Sequence, residues 1–252
     1  MSEQMLIFGK HPVSEFLATG QSAKALLVQD SAEKALGEIL ALAKSMGIKI
    51  ERSSKKGLDQ LTKGANHQGL CLRLGAFQYA DLADLFEKAT KDRQLGCLVA
   101  LDGVQDPHNL GSIIRSAAAF GVQGIILPDR RAASVTATVF KTSAGAAGRL
   151  PIAQVKNLRQ TLELAKEQGF WVVGTVVEGG TGLSEIDFCR PTVLVIGSED
   201  KGLRDLSAKT CDSLATIDLA GGMESLNASV AAALCFYELS RQRSGQNQPS
   251  EQ

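Results

Sequence analysis

Apolar positions change period several times along the chain, and the changes divide it. Through residue 74, short helical and strand signals alternate: residues 12–18 are helix-like and stop before Gly20, and residues 25–29 are strand-like. Ser31 predicts the cap of a helix running to Gly47. Residues 48–51 read as a strand, as do residues 68–74, where Leu70, Leu72 and Leu74 alternate with Gly69, Cys71 and Arg73. The pattern predicts a small α/β unit over 1–74. Residues 75–94, with seven charged side chains around a short helical stretch, predict a linker. From residue 95 the order becomes strand, loop, helix, repeated. Residues 98–101, 124–127, 171–177, 193–196 and 216–219 are β-rich, and the helical stretch 157–168 places Leu158, Leu162 and Ala165 on one side before Gly169. A last helix runs to about Arg243, with Ser225 as its cap and Leu226, Val230, Leu234 and Tyr237 as an apolar stripe suited to a core. The polar tail 244–252 reads as disordered.

Alternation of this kind over 95–243 predicts a parallel sheet covered by helices on both faces, with ligands beyond the carboxyl ends of its strands. The loops after Leu101, Ile196 and Leu219 are therefore where chemistry is to be sought.

Composition narrows the class. The chain has 252 residues, 44% of them apolar, and its 27 basic side chains balance its 27 acidic ones. That excludes disordered and fibrous architectures and a protein that coats nucleic acid indiscriminately. One local exception stands out: residues 130–162 carry six basic side chains and no acidic one. The longest apolar run, residues 230–237, is far short of a membrane span, and no targeting signal opens the sequence, so we expect a cytoplasmic protein without a membrane partner. Five scattered cysteines and three distant histidines form no disulfide framework and no metal-ligand motif, so no metal is implied.

The first loop reads Asp106-Pro107-His108-Asn109-Leu110-Gly111, and Arg115 follows on the helix that Pro107 can start; such an Arg can fork onto a phosphate. The second, Gly197-Ser198-Glu199-Asp200-Lys201-Gly202-Leu203, fails the P-loop pattern, and its two carboxylates suit a ligand that is neutral or cationic. Gly-x-Gly-x-x-Gly is absent, which argues against nucleotide-dependent oxidoreductases and NTPases. The third holds Ser225-Leu226-Asn227-Ala228-Ser229.

In order, these three loops resemble the signature motifs of the SpoU (TrmH) family of RNA ribose 2′-O-methyltransferases. Asn66-His67-Gln68-Gly69 and Lys141-Thr142-Ser143-Ala144-Gly145-Ala146 agree as well. The resemblance covers nearly the whole chain and is closest to bacterial members that methylate a guanosine of 23S ribosomal RNA. Two positions depart from the family pattern, Ala118 where an acid is frequent and Asp218 where a proline is usual. The resemblance implies a SPOUT-like catalytic domain over 95–243 with a C-terminal deep trefoil knot, preceded by an L30e-like RNA-binding domain over 1–74. It further implies a homodimer and S-adenosylmethionine (SAM) as methyl donor. Carried over residue by residue, it nominates Asn109, Arg115, Glu199 and Asn227 as catalytic. Thr175, Gly197, Ile217, Leu219 and Leu226 would surround SAM, and Arg130, Arg131, Lys141 and Arg149 would contact RNA. Guanidinium groups are poor bases and natural bidentate partners of phosphate, so Arg115 is expected to grip the target phosphate. The alternatives are the same chemistry on tRNA, or an RNA-binding assembly factor without turnover.

Overall fold

The structure, a computed structural model, describes residues 5–21, 23–91, 95–199 and 201–246. It contains two compact units, one running through Gln78 and including Val135–Arg149, the other made of Tyr79–Ser134 and the chain from Leu150 onward.

The first unit opens with β1 (Leu6–Phe8), α1 (Lys10–Ala18) and β2 (Ala25–Gln29). A 3₁₀ segment, Asp30–Leu36, leads into α2 (Gly37–Ser45), and β3 (Lys49–Ser53), α3 (Lys55–Leu61) and β4 (Leu70–Arg73) follow. The strands are ordered β1-β4-β2-β3, with β2 and β3 parallel and the other pairs antiparallel. Val13, Phe16 and Leu17, at the spacing of one helix face, turn α1 toward the core. The single helix expected from Ser31 to Gly47 is broken at Gly37. The Ser31 hydroxyl is engaged by Gln29 Nε2 at 2.6 Å instead of capping, and a mid-helix glycine weakens the propagation that would carry one helix through.

In the second unit come α4 (Leu82–Thr90), β5 (Cys97–Asp102), α5 (Pro107–Ala119) and β6 (Gly124–Pro128). The stretch read as a linker thus carries a helix with a buried face: Leu85, Phe86 and Ala89 of α4 join the core of this unit. The chain then returns to the first unit for α6 (Ala137–Thr142), where Phe140 meets Phe16 edge-on with ring centroids 5.2 Å apart. Back in the second unit are β7 (Ile152–Val155), α7 (Leu158–Glu167), β8 (Trp171–Val176), the short β9 (Thr181–Gly182) and β10 (Thr192–Gly197). It closes with α8 (Asp205–Thr210), β11 (Ser213–Thr216) and α9 (Ala228–Gln246).

The seven strands form one parallel sheet in the order β7-β6-β5-β10-β8-β11-β9. Every residue of β5, β6 and β10 is buried, as expected of strands covered on both sides. Leu98, Ala100, Val193 and Val195 pack against α4 and α7, while α5 and α9 pack on each other. The expected strand 216–219 is displaced: β11 ends at Thr216 and residues 217–219 are loop. The stripe expected to face the core from α9 is exposed, at 47% for Val230, 39% for Leu234 and 56% for Tyr237; Ala232, Cys235, Phe236 and Leu239 are buried in its place. The C-terminal turn of α9 is fastened by Arg243, whose Nε donates to Phe188 O at 2.9 Å and whose Nη2 donates to Arg190 O at 2.9 Å. The helix therefore continues through Gln246, past the start of the expected tail, and 247–252 lie outside the described residues.

Candidate active site

β5 and β10 are parallel neighbours with Gly197 opposite Asp102, so the loops that follow them leave the same edge of the sheet. Asp106 caps α5 by accepting from His108 N at 3.0 Å, and Pro107 takes the first helical position, where its missing N–H costs nothing. This sets Asn109 in the first turn, facing the second loop. Asn227, not Ser225, caps α9: its Oδ1 accepts from Ser229 N at 2.9 Å and from Ser229 Oγ at 2.6 Å. The other end of the Asn227 amide is then turned outward, and Nδ2 donates to Asn109 Oδ1 at 3.0 Å and to Glu199 Oε1 at 2.7 Å. Asn109 Nδ2 donates to the same Glu199 oxygen. Three residues far apart in sequence, one from each loop, thus close a single hydrogen-bonded group.

The second loop is held both by its own motif residues and, from behind, by Asp102 and Arg204, which sequence reasoning passed over. Ser198 and Gly202 exchange backbone hydrogen bonds at 3.1 and 2.8 Å, and a Cβ on Gly197 would overlap the Gly202 carbonyl carbon, so only glycine fits there. Asp102, buried at the end of β5, accepts from Arg204 N at 3.0 Å through Oδ2, and its Oδ1 lies 3.3 Å from Arg204 Nε. That oxygen has ion-pair distance without hydrogen-bond geometry. The signal available was the Asp at a strand's carboxyl end; its partner lies 102 residues away.

Beside the Asn109–Glu199–Asn227 group, a cleft with about 610 Å³ of open space is lined by Thr175, Gly197, Ile217, Leu219 and Leu226, all five residues nominated for SAM, together with Ile196, Val176 and Ala231. Its lining includes one carboxylate, Glu199, and no basic side chain. That set fits a cationic sulfonium joined to a largely neutral nucleoside and is unsuited to a polyphosphate. Thr175 Oγ1 donates to Val195 O at 3.2 Å, so its hydroxyl ties β8 to β10.

Arg115 is not drawn into the group. It is exposed on α5, and no hydrogen bond or ion pair among the described residues holds its guanidinium. The four residues nominated for RNA are all exposed, but they divide between the units, Arg130 and Arg131 following β6, Lys141 and Arg149 within the segment that joins the first unit. Each auxiliary motif contains a buried side chain that holds its own backbone. His67 is buried, accepting from Gly69 N at 3.0 Å through Nδ1 with Nε2 3.0 Å from Asp59, and Ser143 is buried with its Oγ accepting from Ala147 N at 3.2 Å. Among the described residues no group of three His, Cys, Asp or Glu is placed to hold a metal, and no helix is long and apolar enough to cross a membrane.

Solved structures of similar fold include methyltransferases. An AdoMet-bound rRNA methyltransferase from Sinorhizobium meliloti superimposes with a TM-score of 0.80 at 28% identity, covering 94% of this chain and 87% of that one. The SpoU methyltransferase AviRb of Streptomyces viridochromogenes, in complex with AdoMet, gives 0.79 at 27% identity over 96% and 91%. Fold and cleft together define a SAM-dependent RNA methyltransferase. The profile described as SpoU rRNA Methylase family matches residues 96–237, and that described as RNA 2′-O ribose methyltransferase substrate binding matches residues 6–80. The chain belongs to the SpoU family. Among curated relatives, a protein of Mycolicibacterium gilvum described as an uncharacterized tRNA/rRNA methyltransferase is 44% identical over 94% of this chain and 76% of its own length, and one of Mycobacterium tuberculosis with the same description is 43% identical over 99% and 78%.

Proposed function

We propose that the chain methylates the ribose 2′-OH of a guanosine in 23S ribosomal RNA, in the cytoplasm and as a homodimer. The observation that carries the reading is the Asn109–Glu199–Asn227 group standing at the edge of the cleft that gathers all five cofactor residues. Ribose as acceptor is supported by the substrate-binding profile matched at residues 6–80, rRNA by the description of the catalytic profile and by the Sinorhizobium meliloti structure named above. The L30e-like character of the first unit and a deep trefoil knot in the second rest on the resemblance, and both are compatible with the two sheets described. An exposed apolar row on α9, too large to leave in water without cost, supports the homodimer.

Bound SAM supplies an activated methyl group on a positively charged sulfur. The chain's own task is alignment, because in-line displacement needs oxygen, carbon and sulfur held near-linear, and positioning alone can contribute several kcal/mol, roughly 7–11 in the best intramolecular cases. Asn109 and Asn227 hold the Glu199 carboxylate by two amide N–H groups, which fixes an acceptor where the ribose hydroxyl would lie. Arg115, exposed on the same helix as Asn109, grips the phosphate of the target nucleotide as the sugar is presented. The apolar lining excludes water, which favours a reaction in which opposite charges neutralise each other.

Transfer of tritium from labelled SAM to rRNA and to tRNA, each from a strain deleted for the gene, followed by mapping of 2′-O-methylation, tests the reading. Label on a single guanosine of 23S rRNA is expected. Label on tRNA alone would move the substrate, and SAM binding with no label in either RNA would favour an assembly factor.

A further inference from the structure

Behind the second loop the cofactor cleft does not end. It shares Ser198, Glu199 and Gly202 with a second cleft, which contains Arg131, Lys201 and Arg204. That cleft in turn shares Asp102, Arg131 and Arg204 with a third, walled by Arg130, Lys156 and Arg159. The three follow the carboxyl edge of the parallel sheet away from Glu199, from β10 across β5 to β6 and β7. Acidic side chains in the third cleft are Asp102, Asp129 and Asp205, and Asp102 is buried and already matched by Arg204. Four uncommitted cations, Arg130, Arg131, Lys156 and Arg159, therefore face two uncommitted carboxylates.

Two of those cations stand where their own helix disfavours them. Lys156 and Arg159 flank the α7 cap residue Asn157, and the first turn of α7 contains no acid. Positive charge at a helix N-terminus opposes the helix dipole, which attracts anions. Arg131 adds a non-glycine residue in the left-handed region at φ 55°, a conformation held at some cost. No hydrogen bond or ion pair among the described residues occupies Arg130, Arg131, Lys156 or Arg159. Unfavourable placement, without internal partners, next to a reaction centre, is what an external polyanion would reward.

We propose that this edge is a track for the RNA backbone, in which Lys156, Arg159 and Arg204 bind successive phosphates of the strand on one side of the methylated nucleotide. The proposal rests on the RNA methyltransferase reading. Arg204 joins the two ends of the track: its backbone N–H and Nε fasten the second loop to Asp102, while its guanidinium remains 45% exposed to the groove.

The test is the salt dependence of binding to a short, mixed-sequence, fluorescein-labelled single-stranded RNA, with SAM affinity by calorimetry and label transfer to rRNA measured in parallel. Removing one cation that neutralises a phosphate of a single strand flattens the plot of log K against log salt by about 0.7. Lys156→Ala/Arg159→Ala should flatten it by about 1.4 and weaken binding roughly tenfold at low salt. SAM affinity should stay unchanged, and Tm should hold or rise because the helix dipole is relieved. Lys156→Arg/Arg159→Lys should keep the wild-type slope, as should Lys209→Ala at the far end of α8. If wild type binds and methylates RNA while the double alanine variant keeps its slope, the track is wrong and the function stands. An equal loss in Lys209→Ala would also overturn it, as general attraction. If wild type binds SAM but neither binds nor labels RNA, both readings fall.

Discussion

Arg115 stands in solvent on α5, and that isolation sharpens the test of its role. If it grips phosphate through two parallel hydrogen bonds, lysine keeps the charge but loses the planar fork. Arg115→Lys should then reduce turnover nearly as much as Arg115→Ala, by roughly 10²-fold, or about 2.7 kcal/mol of transition-state stabilisation. SAM affinity and thermal stability should be unchanged in both, since nothing in the fold depends on the side chain. Full activity in the lysine variant would reduce the role to charge alone. The two asparagines should separate differently. Asn227→Ala removes the α9 cap as well as the hydrogen bond to Glu199, so it should destabilise the protein by about 1 kcal/mol and abolish most activity; Asn109→Ala should cost comparable activity with little stability. Urea midpoints beside single-turnover rates distinguish them. At this scale the sequence was informative about residue types and uninformative about partners. Asn109, Glu199 and Asn227 could be named from their motifs, whereas Asp102 and Arg204 could not, because a buried carboxylate announces itself only through a neighbour 102 positions away.

Helix α9 shows why periodicity located elements better than faces. Apolar side chains nearly surround its first three turns, so Leu226, Val230, Leu234 and Tyr237 and the set Ala228, Ala232, Cys235, Phe236 and Leu239 satisfy the same helical spacing. The second set won the core because β10 and α5 present it with a surface; Val230, Leu234 and Tyr237 were left outside, with Tyr237 meeting Phe120 edge-on at 6.3 Å, while Leu226, ahead of the helix, is half-buried in the cofactor cleft. If a second copy covers that row, Leu234→Glu/Tyr237→Glu should shift the protein to a monomer in analytical ultracentrifugation with its far-UV circular dichroism intact. A wild type that sediments as a monomer at micromolar concentration would refute the assignment. The short helical stretch read within residues 75–94 is α4, but its buried face escaped notice for a related reason: its charged face dominates the composition there and conceals Leu85, Phe86 and Ala89. Helix α6 adds a practical consequence. Because Phe140 packs on Phe16, deleting residues 1–74 would strip α6 of its support, so RNA selection by the first unit is better examined by substitutions on its surface than by truncation.

For the molecule as a whole, four thiols make stability sensitive to base. Burial pushes Cys71 up to about 11 and Cys97, Cys211 and Cys235 up to about 12, whereas an unfolded cysteine titrates near about 8.5. The native state thus favours the neutral thiol. Its contribution is complete below about pH 8.5 and is lost as pH rises from there toward 12, because the unfolded chain releases those protons first. Urea midpoints should fall across that window, and less steeply in Cys97→Ala/Cys235→Ala. The parallel α/β class was readable from alternating strand and helix signals, but the discontinuous first unit was not, since nothing in residues 135–149 marks them as belonging with a sheet made before residue 75. Strand order is equally invisible in one dimension, and it has a kinetic corollary. On a ribosome, β5, β6 and β7 can pair as they emerge, while β8 has no neighbour until β10 arrives to join it to β5. Glu199 follows β10 by two residues, and Leu219, Leu226 and Asn227 come later still, so the nascent enzyme is blind to its methyl donor until its third loop has been made.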